Sequence, residues 1–333
     1  MVMPGVASSV GTRALTANWC ERLAELSRRR AYAGHDVGLQ CARSGSPANF
    51  RWPRERLQMA SFESGMMTRV TSRDGAEIAV WTSGEGPPLV LVHGAPADHI
   101  RWRPLLPHLE PHVTVHAIDR RGRGASGDGP EYRLEREYED VAAVVDAVAA
   151  AARARVDVYG HSHGGIVAFG AATLTSQIRR LVLYEGWPVP DPLVYALAAG
   201  VEERMDELLA ADDRDGVVEA LFRSMDMSDE DLTALRSAPS WPGRVAAAHT
   251  VTREIRGETG ARLDPEQAAK IRVPVLLLTG EDSTDPAKPH AAAVATALPD
   301  ARVQVIEGQQ HVGDILEPER FVGRLLRFLH ASA

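Results

Sequence analysis

The stretch that decides the fold of this chain is Val156-Asp157-Val158-Tyr159-Gly160-His161-Ser162-His163-Gly164. Its apolar half predicts a buried strand, and residues 165–172 behind it are compatible with a helix. Glycine at both ends of Gly-x-Ser-x-Gly permits a sharp turn, because positive φ is cheap only for glycine and a Cβ would collide with the neighbouring strand and helix. Such a turn leaves a serine hydroxyl exposed at its tip. We therefore predict that Ser162 is a nucleophile rather than part of an ordinary surface turn.

The composition limits the class of protein. The chain has 333 residues, of which 44% are hydrophobic, enough for the core of an α/β domain with an insertion. A net charge of −8 provides no basic stripe, so we expect no nucleic-acid partner. No apolar run reaches the roughly 18 residues of a membrane span, so we expect no membrane partner. Two cysteines, Cys20 and Cys41, exclude a disulfide scaffold and favour a reducing, cytoplasmic location.

The N-terminal segment, residues 1–65, differs from the rest of the chain. It carries nine arginines against five acidic residues and has no sustained hydrophobic periodicity. It also lacks the charged start, apolar centre and cleavage site of a secretory signal peptide. We predict a poorly ordered extension, or one translated from a mis-assigned start. The alternative is a short helix over residues 13–30 that docks on the domain.

The remaining chain alternates between strand-like and helical stretches. Apolar runs of the strand type occupy residues 78–81, 89–92, 113–118, 156–159, 181–184, 273–279 and 302–306. Between them lie helical stretches such as 134–152, and this alternation predicts an α/β fold with a mainly parallel sheet flanked by helices. Residues 187–265 break the rhythm with a mostly helical, acid-rich region. We interpret that region as a helical lid inserted into a core of residues 66–186 and 266–333, and refer to it below as the helical insertion.

Ser162 cannot act alone, because a neutral hydroxyl needs a base and the base needs an orienting acid. In the chain order serine, acid, histidine, the base is His311, on the loop after the last core strand. Two strand ends offer the acid: Glu185 at one, and Asp282, with Asp285 three residues further on, at the other. A carboxylate at either place could fix the tautomer of the imidazole. The residues alone leave this choice open.

Two further groups of residues complete the predicted site. An oxyanion hole needs two backbone N–H donors, and we assign them to His163, directly after the serine, and to Ala95. Trp102 follows the turn that contains Ala95, so we predict that it lines the pocket entrance. Tyr195 and Trp241 of the helical insertion are candidate substrate-binding residues, with packing inside the insertion as the alternative.

The histidines near the serine also raise the question of a metal. His93, His161 and His163 are potential ligands. His161 and His163 flank the serine on a tight turn, however, and should point apart. We therefore expect no metal and no cofactor.

Four motifs together resemble the α/β-hydrolase superfamily. They are His93-Gly94-Ala95-Pro96, residues 119–126, the Gly-x-Ser-x-Gly turn and the loop from Gly308 to His311, in this order and rough spacing. The resemblance covers residues 68–331 and is nearest to bacterial, single-domain members with a helical cap. It implies the α/β-hydrolase fold, no cofactor, and a structural role for the loop Arg120-Arg121-Gly122-Arg123, which otherwise suggests phosphate binding. With Asp119, the arginines of that loop are expected to pair locally.

The resemblance also bears on the acid. In many relatives the acid stands three residues after the glycine of the turn Gly280-Glu281-Asp282-Ser283, and here that position is Ser283. This departure weakens Asp282 and favours Glu185, which follows Tyr184 as in a Tyr-Glu pair of the same group. Epoxide hydrolases and haloalkane dehalogenases share the His-Gly-x-Pro motif. They require an aspartate nucleophile, so Ser162 argues against them.

These observations predict a serine hydrolase that cleaves an ester or thioester of a small to medium organic substrate through an acyl-enzyme. The alternative is non-ester chemistry on the same fold, such as that of a carbon–carbon hydrolase, a perhydrolase, or a lyase or cyclase of a natural-product pathway. A binding module without catalysis is a third interpretation, against which the complete serine, acid and histidine set argues. We expect a small-molecule substrate as partner, and a homodimer is left open.

Overall fold

The computed structural model describes residues 66–190, 200–225, 227, 229–283 and 287–331. The N-terminal segment, for which the sequence predicts an extension or a docked helix, lies outside the described residues. Tyr195 and Asp285 lie outside them as well. In the described part of the chain, no helix has the length and apolar character needed to cross a membrane.

Eight strands of the described residues form one sheet. The strands are β1 (Met66–Thr71), β2 (Glu77–Ser83), β3 (Pro88–Val92), β4 (Thr114–Ile118), β5 (Val156–His161), β6 (Ile178–Tyr184), β7 (Val275–Gly280) and β8 (Ala301–Ile306). Their order in the sheet is β1-β2-β4-β3-β5-β6-β7-β8. β1 pairs antiparallel with β2 and β2 with β4, whereas the other neighbours are parallel. This confirms the predicted mainly parallel sheet.

Helices cover both faces of the sheet. The helices of the core are α1 (Leu106–Leu109), α2 (Leu134–Ala152), α3 (His163–Ala171), α9 (Pro265–Ala268), α10 (Ala287–Ala297), α11 (Gly313–Leu316) and α12 (Pro318–Leu329). One apolar cluster packs the sheet against α2 and α3, and a second packs its other face against α1 and α12. α11 and α12 are separate helices, since Pro318 begins a new helix.

The helical insertion lies between β6 and β7 and has a core of its own. Its helices are α4 (Val201–Ala210), α5 (Arg214–Ser224), α6 (Asp229–Arg236), α7 (Trp241–Ala246) and α8 (Val251–Gly260). Apolar side chains on these helices form a third cluster that includes Met205, Leu221, Phe222 and Val251. The described residues of this region are mostly helical, as its sequence predicts.

The parallel register brings four strand ends to the same edge of the sheet. His161 at the end of β5 pairs with Tyr184 of β6, and Tyr184 pairs with Leu278 of β7. On the other side of β7, Gly280 at its end pairs with Ile306 at the end of β8. The loops that follow β5, β6, β7 and β8 therefore start side by side, and they carry the serine, both candidate carboxylates and the histidine.

Candidate active site

The turn after β5 is strained at the serine itself. Ser162 has φ 55° and ψ −131°, a conformation that costs about 1–3 kcal/mol for a non-glycine residue. Gly160 and Gly164 are required for space: an added Cβ would lie 2.5 Å from the Gly164 oxygen and 2.3 Å from the Val92 oxygen, respectively. The prediction of a sterically restricted turn is confirmed. The expectation that the glycines supply the positive φ was wrong.

Glu185 is the carboxylate that faces His311. Its Oε2 lies 2.8 Å from Nδ1 of His311, so the hydrogen bond assigns the Nδ1 proton and leaves Nε2 free to accept one. The other oxygen, Oε1, accepts hydrogen bonds from the Thr279 hydroxyl at 3.0 Å, the Gly280 N–H at 2.7 Å and the Ser283 hydroxyl. Burial alone would raise the pKa of Glu185, but the hydrogen bonds from His311, Ser283 and Gly280 outweigh it and lower that pKa. Glu185 is therefore held as an oriented anion.

Asp282 occupies a different place. It is exposed on the turn after β7, where its backbone N–H donates to the Gln309 carbonyl at 2.9 Å. That bond fastens the loop of the histidine, but it does not bring the Asp282 carboxylate to the imidazole. Of the two described candidates for the acid, the structure pairs His311 with Glu185 and not with Asp282. The role of this pair in catalysis stays a prediction.

Several hydrogen bonds fix the serine and the histidine in one neighbourhood. The Ser162 N–H donates to the Tyr184 carbonyl at 2.9 Å, and the Tyr184 hydroxyl donates to the carbonyl that precedes His311. Nε2 of His161 lies 2.7 Å from the His311 carbonyl, and burial lowers the pKa of His161 well below its usual value, so it is a neutral donor. Among the described residues, no hydrogen bond joins the Ser162 hydroxyl to His311. Catalytic hydrogen bonds are often long before substrate binds.

Both predicted oxyanion donors lie beside the serine. His163 is the first residue of α3, so its N–H has no helical carbonyl partner four residues earlier. Gly94 packs so closely that an added Cβ would lie 2.9 Å from Cβ of Ser162, and the half-buried Ala95 follows it. Both residues thus lie in the neighbourhood of Ser162, and the use of their N–H groups as an oxyanion hole stays a prediction.

The side chain of His163 joins the turn to the helical insertion. Its Nδ1 lies 2.6 Å from Oε1 of Glu258 on α8, and its Nε2 faces Glu137 of α2 at 3.4 Å. The contact between Nε2 and Glu137 is within ion-pair distance, but it does not have the geometry of a hydrogen bond. The imidazole is therefore clamped between a helix of the core and a helix of the insertion.

A buried ion network continues from there. Arg120 donates to Glu137 at 2.9 Å and to both oxygens of Glu254 on α8 at 3.1 Å, and Arg123 also pairs with Glu254. All these side chains are at most 1% exposed. The expectation that the arginines pair locally with Asp119 was wrong for all three. Arg120 and Arg123 pair with carboxylates of α2 and the insertion, and Arg121 pairs with Asp74 and with Asp140 of α2.

The same carboxylates raise the question of a metal. One potential ligand atom each from Glu137, His163 and Glu254 lie within 4.8 Å of one another. Both carboxylates are already hydrogen-bonded to Arg120, and a divalent cation beside that guanidinium would be repelled. The donor set therefore suits an ion network better than a metal ion.

The two tryptophans predicted to line the site, Trp102 and Trp241, lie in apolar cores. Trp102 is fully buried in the second core cluster, 5.3 Å from the ring of Tyr159, so the structure does not place it at a pocket entrance as predicted. Its apolar surface packs against the other side chains of that cluster. Trp241 belongs to the cluster of the insertion, and its indole N–H donates to Asp215 at 2.8 Å. That is the packing alternative for Trp241.

Comparisons with known proteins agree with this fold. A family model described as the alpha/beta hydrolase family matches residues 89–324. A 2-hydroxy-6-oxo-6-(2'-aminophenyl)hexa-2,4-dienoic acid hydrolase of Metapseudomonas resinovorans is 25% identical over 280 residues, 81% of this chain and 93% of the relative. A pimeloyl-[acyl-carrier protein] methyl ester esterase of Xanthomonas campestris is 30% identical over 264 residues, 74% of this chain and 97% of the relative. The crystal structure of an alpha/beta hydrolase from Sphaerobacter thermophilus matches with a TM-score of 0.67 and 33% identity, covering 79% of this chain and all of that one.

Proposed function

Because this chain belongs to the alpha/beta hydrolase family, we propose that it is a serine hydrolase that cleaves an ester or thioester of a small to medium organic substrate through an acyl-enzyme. The observation that carries the proposal is the hydrogen bond between Glu185 and Nδ1 of His311 at the sheet edge that also presents Ser162. It leaves Nε2 as the proton acceptor of an imidazole held in one orientation.

The reaction follows from these positions. Ser162 attacks the substrate carbonyl while Nε2 of His311 takes its proton, and Glu185 stabilises the imidazolium that forms. The N–H groups of Ala95 and His163 bind the developing oxyanion. His311 then protonates the leaving alcohol or thiol and activates the water that releases the acid. No step requires a cofactor.

The names of two relatives favour different substrates for this chain. The Xanthomonas campestris esterase is named for a methyl ester, which favours ester cleavage for this chain. The Metapseudomonas resinovorans hydrolase is named for an oxo-dienoic acid, a compound without an ester to cleave. Carbon–carbon hydrolysis is therefore the second candidate, and both reactions use a histidine-activated site.

A series of 4-nitrophenyl esters of increasing chain length, together with fluorophosphonate labelling, tests the proposal. We expect wild type to turn over short esters and to be labelled, and Ser162→Ala to lose both. Ser237→Ala, which removes an exposed hydroxyl of the helical insertion, is the matched control and should behave as wild type. Labelling that persists in Ser162→Ala would refute the nucleophile. Labelling of wild type without any ester turnover would favour carbon–carbon hydrolysis.

A further inference from the structure

In the described part of the chain, the side chain of His163 forms one hydrogen bond, and its partner belongs to the helical insertion. Nδ1 of His163 lies 2.6 Å from Oε1 of Glu258 on α8, and because a carboxylate only accepts, the proton belongs to Nδ1. Nε2 is buried and has no hydrogen-bond partner. Glu137 faces it, but the two oxygens of Glu137 accept from the Tyr132 hydroxyl and from Arg120, each at 2.9 Å. Glu258 is therefore the group that fixes the orientation of this imidazole.

Glu258 differs from the other carboxylate of α8. Glu254, one turn earlier, pairs with Arg120 and Arg123, whereas among the described residues Glu258 forms no ion pair with an arginine. The helix that carries it is firmly held, because Glu254 belongs to the buried ion network and Val251 is buried in the core of the insertion. Glu258 thus stands on a fixed support, and its replacement leaves the arginine pairs intact.

The strained turn at Ser162 depends on contacts around it. A non-glycine residue stays at φ 55° only where the surrounding structure holds it there. On the N-terminal side, the Ser162 N–H donates to the Tyr184 carbonyl at 2.9 Å, which ties the turn to the end of β6. On the C-terminal side, the Ser162 carbonyl accepts from the Gly165 N–H at 2.7 Å, a bond within the turn and its own helix. The imidazole of His163 adds a hydrogen bond from this side to a different element, through Glu258.

We propose that Glu258 is a positioning residue: by holding the imidazole of His163, it keeps the strained Ser162 and the predicted oxyanion N–H of His163 in place for the attack. This inference rests on the proposed serine-hydrolase function and makes one residue of the helical insertion necessary for the full rate of that reaction.

The expected effect lies in kcat rather than in KM. An oxyanion donor must lie about 2.7–3.1 Å from the developing charge, and a displacement of about 1 Å costs on the order of 100-fold in rate. The oxyanion forms only after attack, so a displaced donor weakens binding of the transition state and leaves binding of the substrate nearly unchanged.

Three substitutions of Glu258 test the proposal. Glu258→Ala removes the acceptor, Glu258→Asp draws it back by one methylene group, and Glu258→Gln keeps an oxygen that can accept from Nδ1. For each variant we would measure kcat and KM with the best 4-nitrophenyl ester and the rate of fluorophosphonate labelling. We would divide kcat by the number of sites that fluorophosphonate labels at completion. This number separates positioning from folding, because partial unfolding reduces the number of sites and not the rate at each site.

We expect Glu258→Ala to lose about 10- to 100-fold in kcat per labelled site, with a change of less than about threefold in KM and a parallel slowing of labelling. Glu258→Asp should lose about tenfold, and Glu258→Gln should stay within about threefold of wild type. Glu203→Ala, which removes an exposed carboxylate of the same insertion, is the control and should behave as wild type.

Unchanged kcat and labelling rate per site in Glu258→Ala would overturn the proposal, as would a loss carried by KM alone. If Glu258→Ala does not fold, an unchanged rate in Glu258→Asp is the refuting result. A loss in Glu258→Gln as large as that in Glu258→Asp would also contradict it, because the hydrogen bond is retained there. If wild type is labelled but turns over no ester, the labelling rates alone decide. Absence of labelling in wild type is a separate result, because it refutes the serine-hydrolase function itself.

Discussion

Replacing Glu185 by glutamine changes one atom at the point where the carboxylate meets the histidine. The amide oxygen of glutamine can keep the three hydrogen bonds that Oε1 accepts from Thr279, Gly280 and Ser283. The amide nitrogen then stands where Oε2 now lies, 2.8 Å from Nδ1 of His311. Because that nitrogen is a donor, it favours the tautomer with the proton on Nε2. This tautomer cannot accept the proton of Ser162.

The size of the loss follows from the tautomer. The equivalent neutralisation in a serine–histidine–aspartate site lowers kcat about 10⁴-fold, and at about 1.4 kcal/mol per tenfold change this corresponds to about 5 kcal/mol of transition-state stabilisation. We expect Glu185→Gln to lose kcat on this scale with little change in KM, measured with the best 4-nitrophenyl ester at pH 7. Fluorophosphonate labelling of Ser162 should slow in parallel.

Asp282→Asn is the control, since Asp282 is exposed and its contact with the loop of the histidine is made by its backbone. Its kcat should stay within about threefold of wild type. Retention of more than a tenth of the activity in Glu185→Gln, together with a large loss in Asp282→Asn, would reverse the assignment of the acid. Equal and mild losses in both variants would refute a carboxylate-oriented histidine.

Three predictions concern stability, measured by urea unfolding. Glu254→Gln leaves two buried arginines short of a counter-charge and should lower the free energy of unfolding by about 3–5 kcal/mol at pH 7. Burial alone would raise the pKa of Asp314, but Arg101 outweighs it and lowers that pKa. The contact between Asp314 and Arg101 therefore contributes its full stabilisation above pH 3.8, the pKa of an aspartate in the unfolded chain, and loses it as pH falls through the lower native pKa. The loss of unfolding free energy in Asp314→Asn should accordingly become smaller below pH 3.8. Gly164→Ala should cost at least about 1–3 kcal/mol because its Cβ meets backbone, whereas Gly260→Ala, with open space, should be nearly neutral.

Much of the fold could be predicted from local pattern. The strands of the core are short apolar runs bounded by turns, and α2 begins and ends at the predicted residues 134 and 152. β1 could not be predicted because it is an edge strand whose side chains are mostly exposed, so it has no apolar pattern. In the insertion, α7 has Pro242 and Gly243 in its first turn, and this composition predicts a loop rather than a helix.

Some residues of the candidate site could also be predicted from the sequence, and others could not. Ser162 and His311 are predicted from motif and chain order, which the sequence contains in full. The choice between Glu185 and Asp282 depends on which carboxylate turns towards the imidazole, and the sequence signals for it were Ser283 in place of an acid and the Tyr184-Glu185 pair. The partner of Arg120 could not be predicted, because Glu254 lies 134 residues further along the chain and pairs only after the insertion has packed.

The buried ion network has a consequence for recombination of this chain. Segments inserted between strands of a sheet are often treated as modules that can be exchanged without the scaffold. Here the segment contributes Glu254 and Glu258, and the scaffold contributes Arg120 and His163. A chimaera that receives a foreign segment without those carboxylates would bury surplus positive charge directly behind the nucleophile turn. The scaffold residues must therefore be transferred together with the segment.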